Sequence, residues 1–169
     1  MPKSIDPKRV RVAFLALALL AGAGAPAFAE GTTALAVLDG AVRHSLELSE
    51  ATLRAVPKTT LDVDFATGKG RETGRYAGAL LWTLVEQADL VNEAGKNAVL
   101  RHTLLVTGRD GYAVSLSIGE LDPHYAGKDV ILAYEGGTPP VSPTNLRLVV
   151  PGDAHGGRSV RDVVRIEVK

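Results

Sequence analysis

A single α+β domain, built on a mixed or antiparallel β-rich sheet, is the fold this sequence predicts, and three observations carry the prediction. Seven short runs, alternating or rich in β-branched residues, outnumber two helical segments. Those helical segments do not alternate one for one with the strands, as a wound parallel sheet would require. Turn chemistry crowds the second half, with Arg109-Asp110-Gly111 between two apolar runs and Gly136, Gly137, Pro139, Pro140 and Pro143 in one stretch.

In chain order, Thr33 to Leu38 reads as the first strand. Ser49 is placed to cap a short helix through Val56, since its hydroxyl can accept from a free amide of the first turn, and Pro57 stops that helix. Thr59 to Phe65 alternates, with Leu61, Val63 and Phe65 inward and Asp62 and Asp64 toward solvent. Ala79 to Ala88 places Leu80, Leu81, Leu84, Val85 and Ala88 on one helical face. Leu100 to Thr107 and Tyr112 to Leu116 form a hairpin through the Asp-Gly turn, which supplies the positive φ a tight connection needs and sets Leu104–Thr107 against Ala113–Leu116. Val130 to Tyr134, Leu146 to Val150 and Val163 to Val168 complete the strands, and Gly136 to Asn145 is a surface loop. No internal repeat or low-complexity linker marks a second domain.

Residues 1–29 read as a secretory signal. Lys3, Lys8, Arg9 and Arg11 precede an apolar core from Val12 to Ala21, and Ala27-Phe28-Ala29 gives the small-x-small pattern before Glu30. Gly22, Gly24 and Pro26 interrupt the run short of the about twenty apolar residues that span a bilayer. The expected mature chain, residues 30–169, carries 15 basic and 18 acidic side chains and no later membrane segment. That balance argues against nucleic acid as a partner. A periplasmic location fits the leader. In that oxidising space disulfides are available, yet the chain has no cysteine.

No conventional catalytic set stands out. His44, His102, His124 and His155 lack metal-ligand spacing and read as solvated or edge-of-core residues. Asp62 and Asp64 share a strand face and read as its wet side rather than as a proton-transfer pair. From Ala66 to Tyr76, Gly68-Lys69-Gly70-Arg71 and Gly74-Arg75 combine flexible amides with positive charge, which suits an anion, but without P-loop spacing they read first as a mobile basic loop. Arg147, Arg158 and Arg161 are stronger candidates, because a planar guanidinium is the preferred partner of phosphate-like anions. Their competing reading is surface pairing with Asp153, Asp162 or Glu167. Trp82 reads as packing under a loop, and Tyr112 as a groove hydroxyl or a strand tyrosine with a wet tip.

Four runs follow one another in the last sixty residues: Asp110-Gly111-Tyr112-Ala113-Val114-Ser115, Leu132-Ala133-Tyr134-Glu135, Leu146-Arg147-Leu148-Val149-Val150-Pro151-Gly152, and Gly157-Arg158-Ser159-Val160-Arg161. Their order and spacing resemble the carboxyl half of the sulfite-oxidase-type molybdopterin-binding domain. In the front half, Leu46-Glu47-Leu48-Ser49 and Tyr76-Ala77-Gly78-Ala79-Leu80-Leu81 are similar to that family's opening elements. The resemblance implies that Tyr112 lies near a substrate oxyanion, that Arg147 precedes a strand end at the cofactor, and that Arg158 and Arg161 help hold the pterin phosphate and the substrate. It also implies a cysteine thiolate on molybdenum, and the strand from Thr59 to Phe65 offers Asp62, Val63 and Asp64 instead. Ser142-Pro143 stands where a His-Gly pair is expected, and Arg161-Asp162 where a Lys-Trp pair is expected.

Three readings follow, and they leave enzymatic activity open. The first is an exported, non-catalytic module whose groove binds a small anionic molecule or a periplasmic protein, with no molybdenum cofactor. The second is an active molybdopterin oxidoreductase with unconventional ligation, molybdopterin entering only through the resemblance. The third is an accessory that contacts a membrane partner through Gly136 to Pro143. On the first reading, Arg147→Ala and Arg158→Ala are expected to weaken anion binding with little loss of stability.

Overall fold

Sheet edges and turns in this chain fall where backbone chemistry puts them. The computed structural model describes residues 33–169, so the leader assigned to residues 1–29 lies outside the described residues. β1 (Ala36–Gly40) and β2 (Leu46–Leu48) open the fold. Ser49 then caps α1 (Glu50–Ala55), its hydroxyl accepting from the Thr52 amide as expected. A hairpin of β3 (Lys58–Thr67) and β4 (Gly70–Leu80) leads into α2 (Leu81–Ala88). After a 3₁₀ turn at Ala98–Arg101 come β5 (Thr103–Gly108), β6 (Ala113–Ser117) and the one-turn α3 (Ile118–Leu121). β7 (Ile131–Gly136), β8 (Arg147–Val149), a 3₁₀ turn at Gly156–Arg158 and β9 (Val163–Val168) finish the chain.

The strands form two sheets. One has five strands in the order β2-β1-β9-β5-β6, and the other four in the order β3-β4-β7-β8. The first is mixed, since β1 runs parallel to β9 while its other pairs are antiparallel. The second is antiparallel throughout. The α+β class holds, and the predicted single sheet resolves into two. The hairpin register is the predicted one, with Leu104 opposite Leu116, Thr107 opposite Ala113, and Gly111 at φ +83°.

Both faces of the four-stranded sheet are covered, which explains why β7 reads as the continuous apolar run Ile131-Leu132-Ala133-Tyr134. Ala79, Leu132, Tyr134 and Leu148 face the main core, where they meet Leu38, Leu104, Val106 and Ile166 of the other sheet and Leu81, Leu84, Val85 and Ala88 of α2. Trp82 packs at the margin of this core, close to its expected role. Val63, Phe65, Tyr76, Ile131, Ala133 and Val149 form a smaller core on the opposite face. No helix among the described residues is long and apolar enough to cross a membrane.

The largest departure from the sequence reading is β4. The sequence predicts a mobile basic loop for its first half and the opening of a helix for its last residues; instead an eleven-residue strand pairs with β3 from Thr67/Gly70 to Lys58/Ala79. Glycines and charges weaken the local β signal, and the pairing partner supplies what local propensity does not. Gly78 is required here: the β4–β7 register shifts between Ala77 and Gly78, and a Cβ at Gly78 would lie 2.2 Å from the Leu132 carbonyl oxygen. Asp62 and Asp64 are the solvent-side residues their alternation predicts, pairing with Arg75 and Arg71 on the exposed face of the hairpin.

Candidate functional site

The smaller core ends in charge. Leu61, Val63 and Phe65 of β3 lie opposite Tyr76, Gly74 and Glu72 of β4, so the period-two alternation sets Glu72 and Tyr76 on the same face as that core. Arg147, first residue of β8, points to this face too. Its side chain is only 4% exposed, and a guanidinium so buried needs partners for its donors. Nη1 donates to Glu72 Oε1 at 2.6 Å and to the Tyr76 hydroxyl, and Nε donates to Ser159 Oγ at 3.1 Å. The guanidinium lies 5.1 Å from the Tyr76 ring centroid and 5.8 Å from that of Phe65, within cation–π range. Tyr76 itself donates to Glu72 Oε1 at 2.6 Å. Arg161, whose side chain is 56% exposed, approaches the same carboxylate from the solvent side, Nη2 donating to Oε2 at 3.3 Å.

These contacts set the ionisation of the pair. Burial pushes the Glu72 carboxyl up, but hydrogen bonds from Arg147 and Tyr76 and the charges of Arg147 and Arg161 outweigh it, and the carboxyl titrates below its ordinary value. Burial, followed by the bond to Glu72, pushes the Tyr76 phenol up to about 12 against the pull of the arginines. Tyr76 therefore stays protonated, donating to Glu72.

A cleft opens beside this network. One part, of about 390 Å³, lies between the Phe65–Gly68 end of the β3–β4 hairpin and the segment His155–Gly157, over Glu72, Arg147 and Arg161. Another, of about 550 Å³, continues along Gly68, Lys69, Arg71 and Pro139, and a smaller one of about 130 Å³ lies on the Pro140–Val141 side of Arg147 and Arg161. The wall at His155 is held by the Ala66 amide donating to the Ala154 carbonyl at 2.9 Å. Gly156 lets it lie against the Phe65 ring, where a Cβ would come within 2.6 Å of a ring carbon.

Charge in the cleft is unbalanced. Lys69, Arg71, Arg147 and Arg161 line it against the single carboxylate Glu72 in its two larger parts. Arg71 is discharged by Asp64 at 2.8 Å and Arg147 by Glu72 at 2.6 Å, which leaves Lys69 and Arg161 as the cations most available to a ligand.

Of the four residues singled out in the sequence, Arg147 and Arg161 meet on Glu72. Tyr112 does not line the cleft, but its hydroxyl donates to the carbonyl of Gly157, which does, at 2.6 Å. Arg158 turns elsewhere: Nε donates to Asp153 Oδ2 at 2.9 Å, Nη2 binds the other Asp153 oxygen, and Nη1 donates to Glu120 Oε1 at 2.9 Å. Its guanidinium pKa is raised by these bonds, Asp153 first, and it does not line the cleft. The expectation that Arg158 shares a groove with Arg147 is corrected on this ground, and its competing reading as a partner of Asp153 is the one observed. Arg147 departs from expectation as well, because it is an internal cation rather than a surface one. Glu72, Tyr76, Phe65 and Ser159 were not singled out in the sequence. Their signal is the alternation of Glu72, Gly74 and Tyr76, legible only once β4 is recognised as a strand.

The family model described as "Oxidoreductase molybdopterin binding domain" matches residues 24–169. The chain belongs to this family. Among solved structures, the sulfane dehydrogenase SoxCD from Paracoccus pantotrophus has the same fold as this molybdopterin-binding-domain chain. The TM-score is 0.61 at 20% identity, over 79% of this chain and 37% of that one. The chain thus spans well under half the length of that neighbour. No curated protein matches the sequence.

Membership raises the question of whether these residues suit a molybdopterin held by a thiolate. The chain has no cysteine. Where β3 reaches the cleft it presents Phe65, a hydrocarbon ring already covered by Gly156 and Arg147. No group of three or more His, Cys, Asp or Glu among the described residues is arranged to hold a metal ion. Glu72 is engaged by two arginines and a tyrosine. This donor set does not fit a thiolate-held molybdenum; what it does present is a basic cleft.

Proposed function

We propose that this member of the molybdopterin-binding-domain family is an exported binding module whose cleft takes a small phosphate-bearing or similar anion, without molybdenum ligation by the protein. The observation that carries the reading is the convergence of Lys69 and Arg161 on one cleft, beside a cation, Arg147, whose charge is already answered internally. Exposed cations at a concave, partly apolar surface bind anions with little reorganisation cost. Gly68 and Gly157 border the same space. Export rests on the basic, apolar and small-residue succession of residues 1–29.

Titration calorimetry with inorganic pyrophosphate tests the cleft. Arg161→Ala and Lys69→Ala are expected to lose most of the binding while unfolding at the same denaturant concentration as the parent. Unchanged binding in both variants refutes the reading. Elemental analysis of the protein purified from its own cells is the second test, and stoichiometric molybdenum there would overturn the claim that the fold works without the metal. Fractionation of those cells checks the periplasmic assignment.

A further inference from the structure

The two oxygens of Glu72 are held unequally. Oε1 accepts 2.6 Å bonds from Arg147 and from the Tyr76 hydroxyl, and both of those side chains are buried. Oε2 accepts from Arg161 at 3.3 Å, and that side chain is 56% exposed. Charge-assisted hydrogen bonds are strongest when short and shielded, so the Glu72–Arg147 bond is the durable one and the Glu72–Arg161 bond the yielding one. Arg161 borders all three parts of the cleft, and Glu72 the two larger parts.

An anion entering this space meets a cation whose charge is partly answered, and beside it a carboxylate of its own sign. Resting on the anion-site reading, we propose that Glu72 is a built-in competitor that sets the affinity of the cleft. Arg161 exchanges Glu72 for the incoming anion, while Arg147 and Tyr76 keep the carboxylate in its seat. The arrangement selects ligands by charge density. A monocarboxylate offers Arg161 nothing that Glu72 does not already offer, whereas a phosphate-bearing dianion or polyanion, also reached by Lys69, outcompetes it.

Four proteins decide the matter: the parent, Glu72→Gln, Arg161→Ala and the double variant, each titrated with inorganic pyrophosphate and with acetate. Glu72→Gln keeps one acceptor oxygen for Arg147 and Tyr76, removes the charge, and puts an amide donor in place of the oxygen that accepts from Arg161. It is expected to bind pyrophosphate about tenfold more tightly than the parent, the order expected for removing one like charge at a partly exposed site. Arg161→Ala is expected to lose binding, and in that background Glu72→Gln should give a clearly smaller gain. Pyrophosphate affinity in Glu72→Gln that equals or falls below the parent's, with Arg161→Ala still deficient, overturns the competitor and leaves the anion site standing. Binding by none of the four overturns both. Should Glu72→Gln fail to fold, carboxyl carbon-13 NMR of the parent replaces it: saturating pyrophosphate is expected to shift the Glu72 resonance, and a stationary resonance overturns the exchange.

Discussion

Arg147 and Arg158 stand eleven positions apart in the same motif-bearing half, and the fold treats them oppositely. Arg147 is sealed against a sheet face by a carboxylate that arrives from β4, and it forms the floor of a cleft. Arg158 remains near the surface, paired with Asp153 in its own loop and with Glu120 at the start of α3, where it fastens a turn. A guanidinium's chemical preference is the same in both places. What separates a site from a clasp is where the opposing carboxylates come from and how much water reaches the pair.

The comparison is sharpest under truncation of Arg147. Arg147→Ala strands Glu72 and Tyr76 in a half-dry pocket, so the expected loss of stability in urea unfolding is large, about 3–5 kcal/mol. This reverses the small effect that the sequence predicts for Arg147 as a binding residue. A loss as small as that of a surface variant would show that water repairs the pocket and that the two arginines are alike after all.

Arg158→Ala comes next. It removes a two-pronged pair with Asp153 and leaves Glu120 with Lys128 at 3.3 Å, at an expected cost of about 1 kcal/mol and with pyrophosphate binding unchanged. Weakened binding would place Arg158 functionally beside Arg147 despite their separation in space.

The phenol of Tyr76 marks the same contrast in its pH dependence. Its folded pKa, about 12, is above the ordinary value near 10, so the folded state holds its proton more tightly. That stability is fully present below pH 10 and is lost as pH rises from about 10 toward 12, an effect on the order of 1 kcal/mol, measurable as a falling unfolding midpoint. Tyr76→Phe should flatten that part of the profile, and a profile identical to the parent's would contradict the assignment. At the bottom of the scale, Asp62→Ala breaks a pair with Arg75 in which both side chains are more than two-thirds exposed. Its unfolding midpoint should match the parent's within error.

Much of this fold was legible because its signals are local. Ser49 before α1, Asp110-Gly111 in the β5–β6 turn and the apolar run of β7 each encode their structure within a few residues. β4 was not legible, because Gly70, Gly74, Gly78 and the intervening charges carry no strand signal of their own; only the facing strand β3 makes them one. The site was half visible for the same reason. Arg147 and Arg161 stood out by type and by motif, and the basic Gly68–Arg71 turn was noticed for its chemistry. Glu72 was hidden inside the strand that local propensity does not announce, and of the two partners of Arg158 the local one, Asp153, was legible, whereas Glu120 is set by a capping box with Ser117 that closes a helix only one turn long.

The hydroxyl of Tyr112 grips the Gly157 carbonyl from the tip of the β5–β6 hairpin, which belongs to the five-stranded sheet, whereas β3, the opposite wall of the cleft that Gly157 lines, belongs to the four-stranded one. The mouth of the cleft is therefore moored to the far half of the molecule. The wall formed by residues 154–157 is thus tied to both sheets at once, by the Tyr112 hydroxyl from the five-stranded one and by the Ala66 amide from the four-stranded one.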